Sequence, residues 1–433
     1  MLILSNRQLQ RYFLGLLAMH MSLGCFRFLF PFQMLNLGGN EALISFSSSV
    51  FTIGQILGFL FFGMILTSNR SRLIIGGLFL VILMLIMGIS NDSHILALSR
   101  TFEGLGYGLL FISIVSIATQ FPNREGEVIG GLFAAVFSGL AVGQGFAGLL
   151  WNSLLEIGKF SSSQGIQIIS YITLIITFLS LIILDISLKS SVNLIPQGWK
   201  FQHLHISTWI NALIAIPSIG ILMIIYSLYD FAHGLYTPNL SILLTRQGID
   251  TISLSLGYLI GDITWGVSQI FAGKIIDKRG YPLPLILSLL LKASVVIFYP
   301  EISLIISLFV ILFLAGLAEG FLEPARNKAV LSNESVQQFT HSHKHLDLGF
   351  SPSGSFILGL HKHEHKHENQ PETIVGGLQS IGIFFFGIGS FIGSWLLSQN
   401  VTLDIITTIG GLCLALASLF SLVLSYTHQK TKK

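Results

Sequence analysis

Apolar residues run along this chain in long blocks, each ended by a short polar break. Blocks of similar length occupy residues 12–36, 44–66, 72–90, 94–118, 127–151 and 164–187. After a polar linker they resume at 217–242, 251–274, 281–299, 302–325, 373–398 and 402–426. A helix of about 20 apolar residues crosses the hydrocarbon core of a bilayer. Helices also satisfy their own backbone polar groups where no water is present. Each block therefore predicts one spanning helix, twelve in all. Arg7 and Arg11 precede the first block, which has no small-residue cleavage site after it, so it reads as an uncleaved first helix.

Composition agrees. Of 433 residues, 52% are hydrophobic and 10% charged, and the mean hydropathy is +0.77. A soluble surface needs roughly 25% charged residues. That excludes a soluble enzyme, a nucleic-acid binder and a disordered chain. Cys25 and Cys413 both fall in apolar stretches, so no disulfide framework is implied.

The net charge of +3 matters through its placement. With the N-terminus inside, the inner segments collect eighteen Lys and Arg residues, and the outer loops hold only Lys159 and Arg246. The positive-inside rule then puts both termini in the cytoplasm of a multi-pass protein of the plasma membrane. The linker 188–216 is expected to lie partly along the inner face.

The two sets of six spans resemble one another. Phe28-Leu-Phe-Pro31 is echoed by Gly234-Leu-Tyr-Thr-Pro238, 207 positions on, and Gly54-Gln by Gly261-Asp. Gly104-Leu-Gly-Tyr-Gly108 matches Gly316-Leu-Ala-Glu-Gly320 at an offset of 212. Glu127-Val-Ile-Gly-Gly-Leu132 matches Glu372-Thr-Ile-Val-Gly-Gly-Leu378 at 246, so an insertion separates the tenth and eleventh spans. The expected fold class is an all-α membrane protein, with twelve transmembrane helices in two pseudo-symmetric six-helix halves. Residues 1–187 form the first bundle, 188–216 the cytoplasmic linker and 217–433 the second bundle, with a cytoplasmic insertion at about 332–371. Such duplications are common in transporters, whose substrate sites lie between the halves.

Three local patterns carry a family resemblance. Leu96-x-x-x-Arg100-x-x-Glu103-Gly104-x-Gly106 resembles the fourth-helix signature of the major facilitator superfamily. Gly273-Lys-Ile-Ile-Asp277-Lys-Arg-Gly280 resembles its cytoplasmic signature between spans eight and nine. Gly139-x-x-x-Gly143-Gln144-x-x-Ala147-Gly148 is similar to the antiporter signature of its twelve-span drug:proton branch. The resemblance implies alternating access between the halves, with Gly63, Gly139, Gly143, Gly148, Gly273, Asp277 and Gly280 as gating positions. Two departures stand out. The first-half cytoplasmic copy, Gly63-Met-Ile-Leu-Thr67-Ser-Asn-Arg70, has Thr in place of the acid, which leaves Asp277 to latch the closed inner side. In the antiporter signature Gln144 replaces Pro and Ala147 replaces Gly. Gly139, Gly143 and Ala147 share one helix face, which fits close helix packing as well as a direction-setting role.

Charges inside the spans carry the functional argument, because each costs roughly 2.5–3.5 kcal/mol at a helix centre. Arg27, Arg100, Glu103, Asp230, His233, Asp262 and Glu319 are the candidates for proton coupling and the substrate pathway, and Lys292 is a structural pairing candidate. Arg100 and Glu103 are three apart, as are Asp230 and His233, so each pair shares a face. The second pair fits a proton carrier, a metal contact or a plain hydrogen bond. Asp262 and Glu319 have no basic partner nearby in sequence, so protonation is expected to lower their cost.

The insertion is histidine-rich. His341, His343, His345, His361, His363, His365 and His367 make seven of the chain's thirteen histidines. Such tracts are a compositional signal for Ni or Zn, and they also fit a solvated spacer. The arrangement resembles that of nickel exporters of the same superfamily, although theirs lies at the C-terminus. No phosphate-cradling Gly-x-x-x-x-Gly-Lys motif is present. The resulting expectation is a proton-coupled exporter of small organic or drug-like molecules. The alternative is a divalent-metal (Ni, Co, Zn) exporter with the loop as collector. The expected partners are a small-molecule or ion substrate, protons and the lipid bilayer, with no nucleic acid. No cofactor is expected beyond Ni or Zn in the loop, and the chain is expected to work as a monomer.

Overall fold

A computed structural model of the chain describes residues 6–58, 68–118, 125–157, 160–189, 217–331, 345–350, 356–361 and 371–431. The helices α1 (Arg7–Asn36), α2 (Glu41–Leu57), α3 (Asn69–Ile89), α4 (Ser93–Ala118), α5 (Glu125–Glu156) and α6 (Ser162–Lys189) come first. They are followed by α7 (Pro217–Tyr236), a 3-10 turn (Thr237–Asn239) and the short α8 (Leu240–Arg246). Then come α9 (Thr251–Arg279), α10 (Pro282–Phe298), α11 (Ile305–Leu331), α12 (Pro371–Ser398) and α13 (Leu403–Thr431). Ten helical stretches among the described residues are long and apolar enough to cross a membrane, with α7 and α8 forming one of them. The other two expected spans correspond to α2 and α9. The described part of α2 is 17 residues long, and the apolar run of α9 is diluted by Ser253, Ser255, Asp262 and Thr264.

Helix starts follow capping chemistry. Asn6, Asn40, Ser68 and Asp250 each accept a backbone N–H from the first turn that follows. Pro238 falls in the 3-10 turn and breaks the expected span 217–242 into α7 and α8, whereas its counterpart Pro31 sits inside an unbroken α1. Gly280 ends α9 with φ 82°, a left-handed conformation that glycine adopts without strain.

Large apolar side chains cover the outside of the bundle; Ile306 is 77% and Leu304 67% exposed. A water-facing surface does not carry such a coat. Inside, α1 packs on α5 and α6, α2 on α4, and α3 on α4 and α6. The later helices repeat this pattern: α7 packs on α12 and α13, α9 on α11, and α10 on α11 and α13. Glycines allow both inner crossings. A side chain at Gly104 would run into the α2 backbone at Phe51 and Gln55, and one at Gly316 into the α9 backbone at Gly261. The main contacts between the two sets run through α5 against α9 and α2 against α12. Between α11 and α12, β1 (His345–Phe350) pairs antiparallel with β2 (Phe356–His361), a small hairpin within the insertion.

Candidate functional site

Helix α4 places Glu103, fully buried, between two guanidinium groups. Arg27 of α1 donates from Nε to Glu103 Oε1 at 2.8 Å, and Arg100, one turn earlier on α4, bonds the other carboxylate oxygen. The expected Arg100–Glu103 pair thus gains a third member from 76 positions away. Aromatic faces receive the remaining charge. The Arg27 guanidinium lies 5.6 Å from the Phe51 ring and 5.3 Å from Tyr107, and Arg100 is 5.1 Å from Phe30.

A second set lies on α7, α10 and α11. Lys292 Nζ sits 2.7 Å from Glu319 Oε1, both nearly fully buried, and the Tyr229 hydroxyl donates to the other oxygen of Glu319. Glu319 therefore does have a counter-ion, supplied by a different helix. Arg326 lies 3.6 Å from Asp230 and 3.2 Å from Glu323, with its guanidinium 3.9 Å from the Tyr226 ring. Asp230 thus pairs with Arg326, while His233 packs among Tyr229, Tyr236 and Phe386. The apolar block 302–325 stops one residue short of Arg326. Helix α11 continues to Leu331 and carries Arg326 into the bundle.

Asp262 differs from the other acids. It is half-buried on α9 and makes no ion pair within 4.0 Å among the described residues. Its helix packs mainly on α11 of its own set and on α5 of the other.

Gly139, Gly143 and Gly148 have packing roles. Side chains at Gly139 or Gly143 would strike the α1 backbone at Leu17 or Met21, and the Cys25 thiol donates to the Gly143 carbonyl at 3.1 Å. Gly148 abuts Ser255 of α9. Gly273 has open space beside it. Asp277 falls in the last turns of α9 with its side chain outside the described set, and Gly63 and Thr67 lie outside the described residues. Of the histidine tracts, only His345 and His361 are described, as cross-strand partners in the hairpin. His341, His343, His363, His365 and His367 lie outside the described residues. No group of three or more His, Cys, Asp or Glu side chains suited to a metal ion occurs among the described residues.

The sequence profile of the Major Facilitator Superfamily matches residues 12–336. The chain belongs to the Major Facilitator Superfamily. Members of this superfamily are transporters rather than enzymes, and the chain is a multi-pass membrane transporter. The multidrug resistance protein MdtG of Salmonella choleraesuis is 24% identical over 333 residues, covering 73% of this chain and 79% of that protein. MdtG of Escherichia coli is also 24% identical, covering 73% of this chain and 78% of its own. A solved structure of the nucleoside transporter NupG superposes with a TM-score of 0.63 at 13% identity. That match covers 99% of this chain and all of NupG, and it shows a shared superfamily fold.

Proposed function

We propose that this superfamily member is a proton-coupled exporter of small organic, drug-like molecules. In this reading it has twelve spans in two six-helix halves, lies in the plasma membrane with both termini cytoplasmic, and works as a monomer without a cofactor. The observation that carries the reading is the run of acids in the interior, with Asp262 half-buried and without a cation within 4.0 Å among the described residues. Transport proteins retain such costly groups where ions or substrates pass. The MdtG relatives, named for multidrug resistance, support the substrate class and the direction.

Alternating access gives the remaining contacts a role. Arg246 pairs with Glu41, Asn239 donates to Ser45 Oγ at 2.6 Å, and Ser49 donates to the Gly387 carbonyl at 3.0 Å. All three join the α1–α6 set to the α7–α13 set, the first two at the end that the charge bias directs outward and Ser49–Gly387 deeper between α2 and α12, so together they close the outer mouth. Asp277 would latch the inner mouth in the opposite state. Asp277→Asn should then raise accessibility from the cytoplasm more than any change at Thr67.

The test is flux in proteoliposomes under an imposed pH gradient, using a panel of organic compounds and divalent metals. Gradient-driven movement of organic compounds that is lost in Asp262→Asn or Glu319→Gln supports the reading. Gradient-driven movement of metals alone would replace it.

A further inference from the structure

The hairpin between α11 and α12 has two unlike faces. Strand alternation and the register put Leu346, Leu348, Phe350, Phe356, Leu358 and Leu360 on one face. The other face carries His345, Asp347, Gly349, Ile357, Gly359 and His361. Every second position of both strands is thus Leu or Phe, and no polar residue interrupts that face. A two-stranded hairpin is marginal in water by itself, and a contiguous apolar face marks an interaction surface. Among the described residues the two strands pack chiefly on each other rather than on a helix.

Two features select the partner. The first is tethering. Residues 332–344 join the hairpin to the end of α11, and 362–370 join it to the start of α12. A chain spans at most about 3.6 Å per residue, which keeps β2 within roughly 36 Å of α12 by any path. A bilayer surface is therefore always in reach. The second is charge. Lys344 and Lys362 directly adjoin the two strands in the sequence, and Asp347 is the sole acid within them. The inner leaflet is anionic and attracts basic flanks of this kind.

We propose that the β1–β2 hairpin docks on the lipid surface of the inner leaflet. Its Leu and Phe face lies at the boundary between headgroups and acyl chains, as the apolar side of an interfacial segment does. Lys344 and Lys362 meet the anionic headgroups, and the face with His345, Asp347 and His361 turns to the cytoplasm. The proposal rests on the cytoplasmic placement of the insertion in the exporter reading. It adds a partner, the membrane surface, that transport itself does not require.

Single cysteines test the docking in the purified full-length protein, with Cys25 and Cys413 replaced by Ser. A fluorophore is attached at Leu348→Cys or Leu358→Cys on one face, and at Asp347→Cys or Gly359→Cys on the other. In vesicles of phosphatidylcholine and phosphatidylglycerol, brominated acyl chains should quench the first two labels severalfold more than the last two. Aqueous iodide should show the reverse order. Lys344→Glu with Lys362→Glu, or vesicles of phosphatidylcholine alone, should lower the bromine quenching of the Leu348→Cys label by about half or more. Thermal melting checks that each variant is folded, and two label sites per face carry the test should one replacement disturb the hairpin. Equal quenching on both faces, or none at the Leu348→Cys and Leu358→Cys labels, overturns the proposal. Shielding of those two labels from bromine and iodide alike also overturns it, because protein would then cover the face. An impermeant maleimide tests the underlying placement separately. Labelling of Asp347→Cys in intact cells rather than in inside-out vesicles would defeat the cytoplasmic placement, whatever the quenching shows.

Discussion

Glu103 holds two guanidinium groups at once, so removing its carboxylate strands both. Breaking a buried pair by taking one partner costs about 3–5 kcal/mol. Glu103→Ala should therefore lower the melting temperature in detergent more than Arg100→Leu, which leaves the Arg27–Glu103 bond in place. The double change Glu103→Ala with Arg100→Leu should recover part of the loss. Equal effects of the two single changes would mean that Arg100 alone carries the pairing. At this scale the sequence shows which residues are expensive but not which of them meet. Arg100–Glu103 is legible because one helical turn separates them. Arg27–Glu103, Lys292–Glu319 and Asp230–Arg326 join different helices, and no local period reports on them.

Helices were the most legible level, because an apolar block long enough to cross a bilayer has few alternatives. Their ends were less so. The start of α9 shows how an end is set: Asp250 accepts from the Ser253 backbone N–H at 2.9 Å and from its hydroxyl at 2.6 Å. These bonds hold the Asp250 carboxyl below its usual pKa. A depressed folded-state pKa contributes stability above the unfolded value and loses it as pH falls through the folded one. Asp250→Ala should thus cost about 1 kcal/mol near neutrality and nothing once the pH is well below about 4, the ordinary aspartate value. Melting curves of both proteins against pH should converge there. Between helices, Gly143 lets α5 lie directly on the α1 backbone. Gly143→Val should separate the two helices and cost on the order of 1–3 kcal/mol, read as lower folded yield, whereas Gly273→Ala, beside open space, should be silent.

The repeated packing pattern relates the whole molecule to the duplication seen in the sequence, while the contacts at the Glu41–Arg246 end join the two sets there. Ser45 and Asn239 touch across that mouth. Cysteines placed at both positions, with Cys25 and Cys413 replaced, should cross-link under oxidant and stop transport, and reductant should restore it. Cross-linking without loss of flux would show that this end need not open. The duplication is legible in the sequence, but the conformational state is not, because it depends on contacts between halves about 200 residues apart.

The ion pairs also have an order in time. Arg27 lies in the first helix and Glu103 in the fourth, Lys292 in α10 and Glu319 in α11, Asp230 in α7 and Arg326 in α11. For Arg27–Glu103 and Asp230–Arg326 the chain is synthesised with one charge well before its partner, whereas Lys292 and Glu319 follow on consecutive helices. The earlier helix must therefore enter the bilayer carrying an unmatched charge, or wait beside the translocation machinery until the later helix arrives. A nascent chain cut off after α3 would hold Arg27 without Glu103 and should insert its first helix less completely than one cut off after α4. Membrane assembly of this transporter is thus tied to the sequence in which its charges are born.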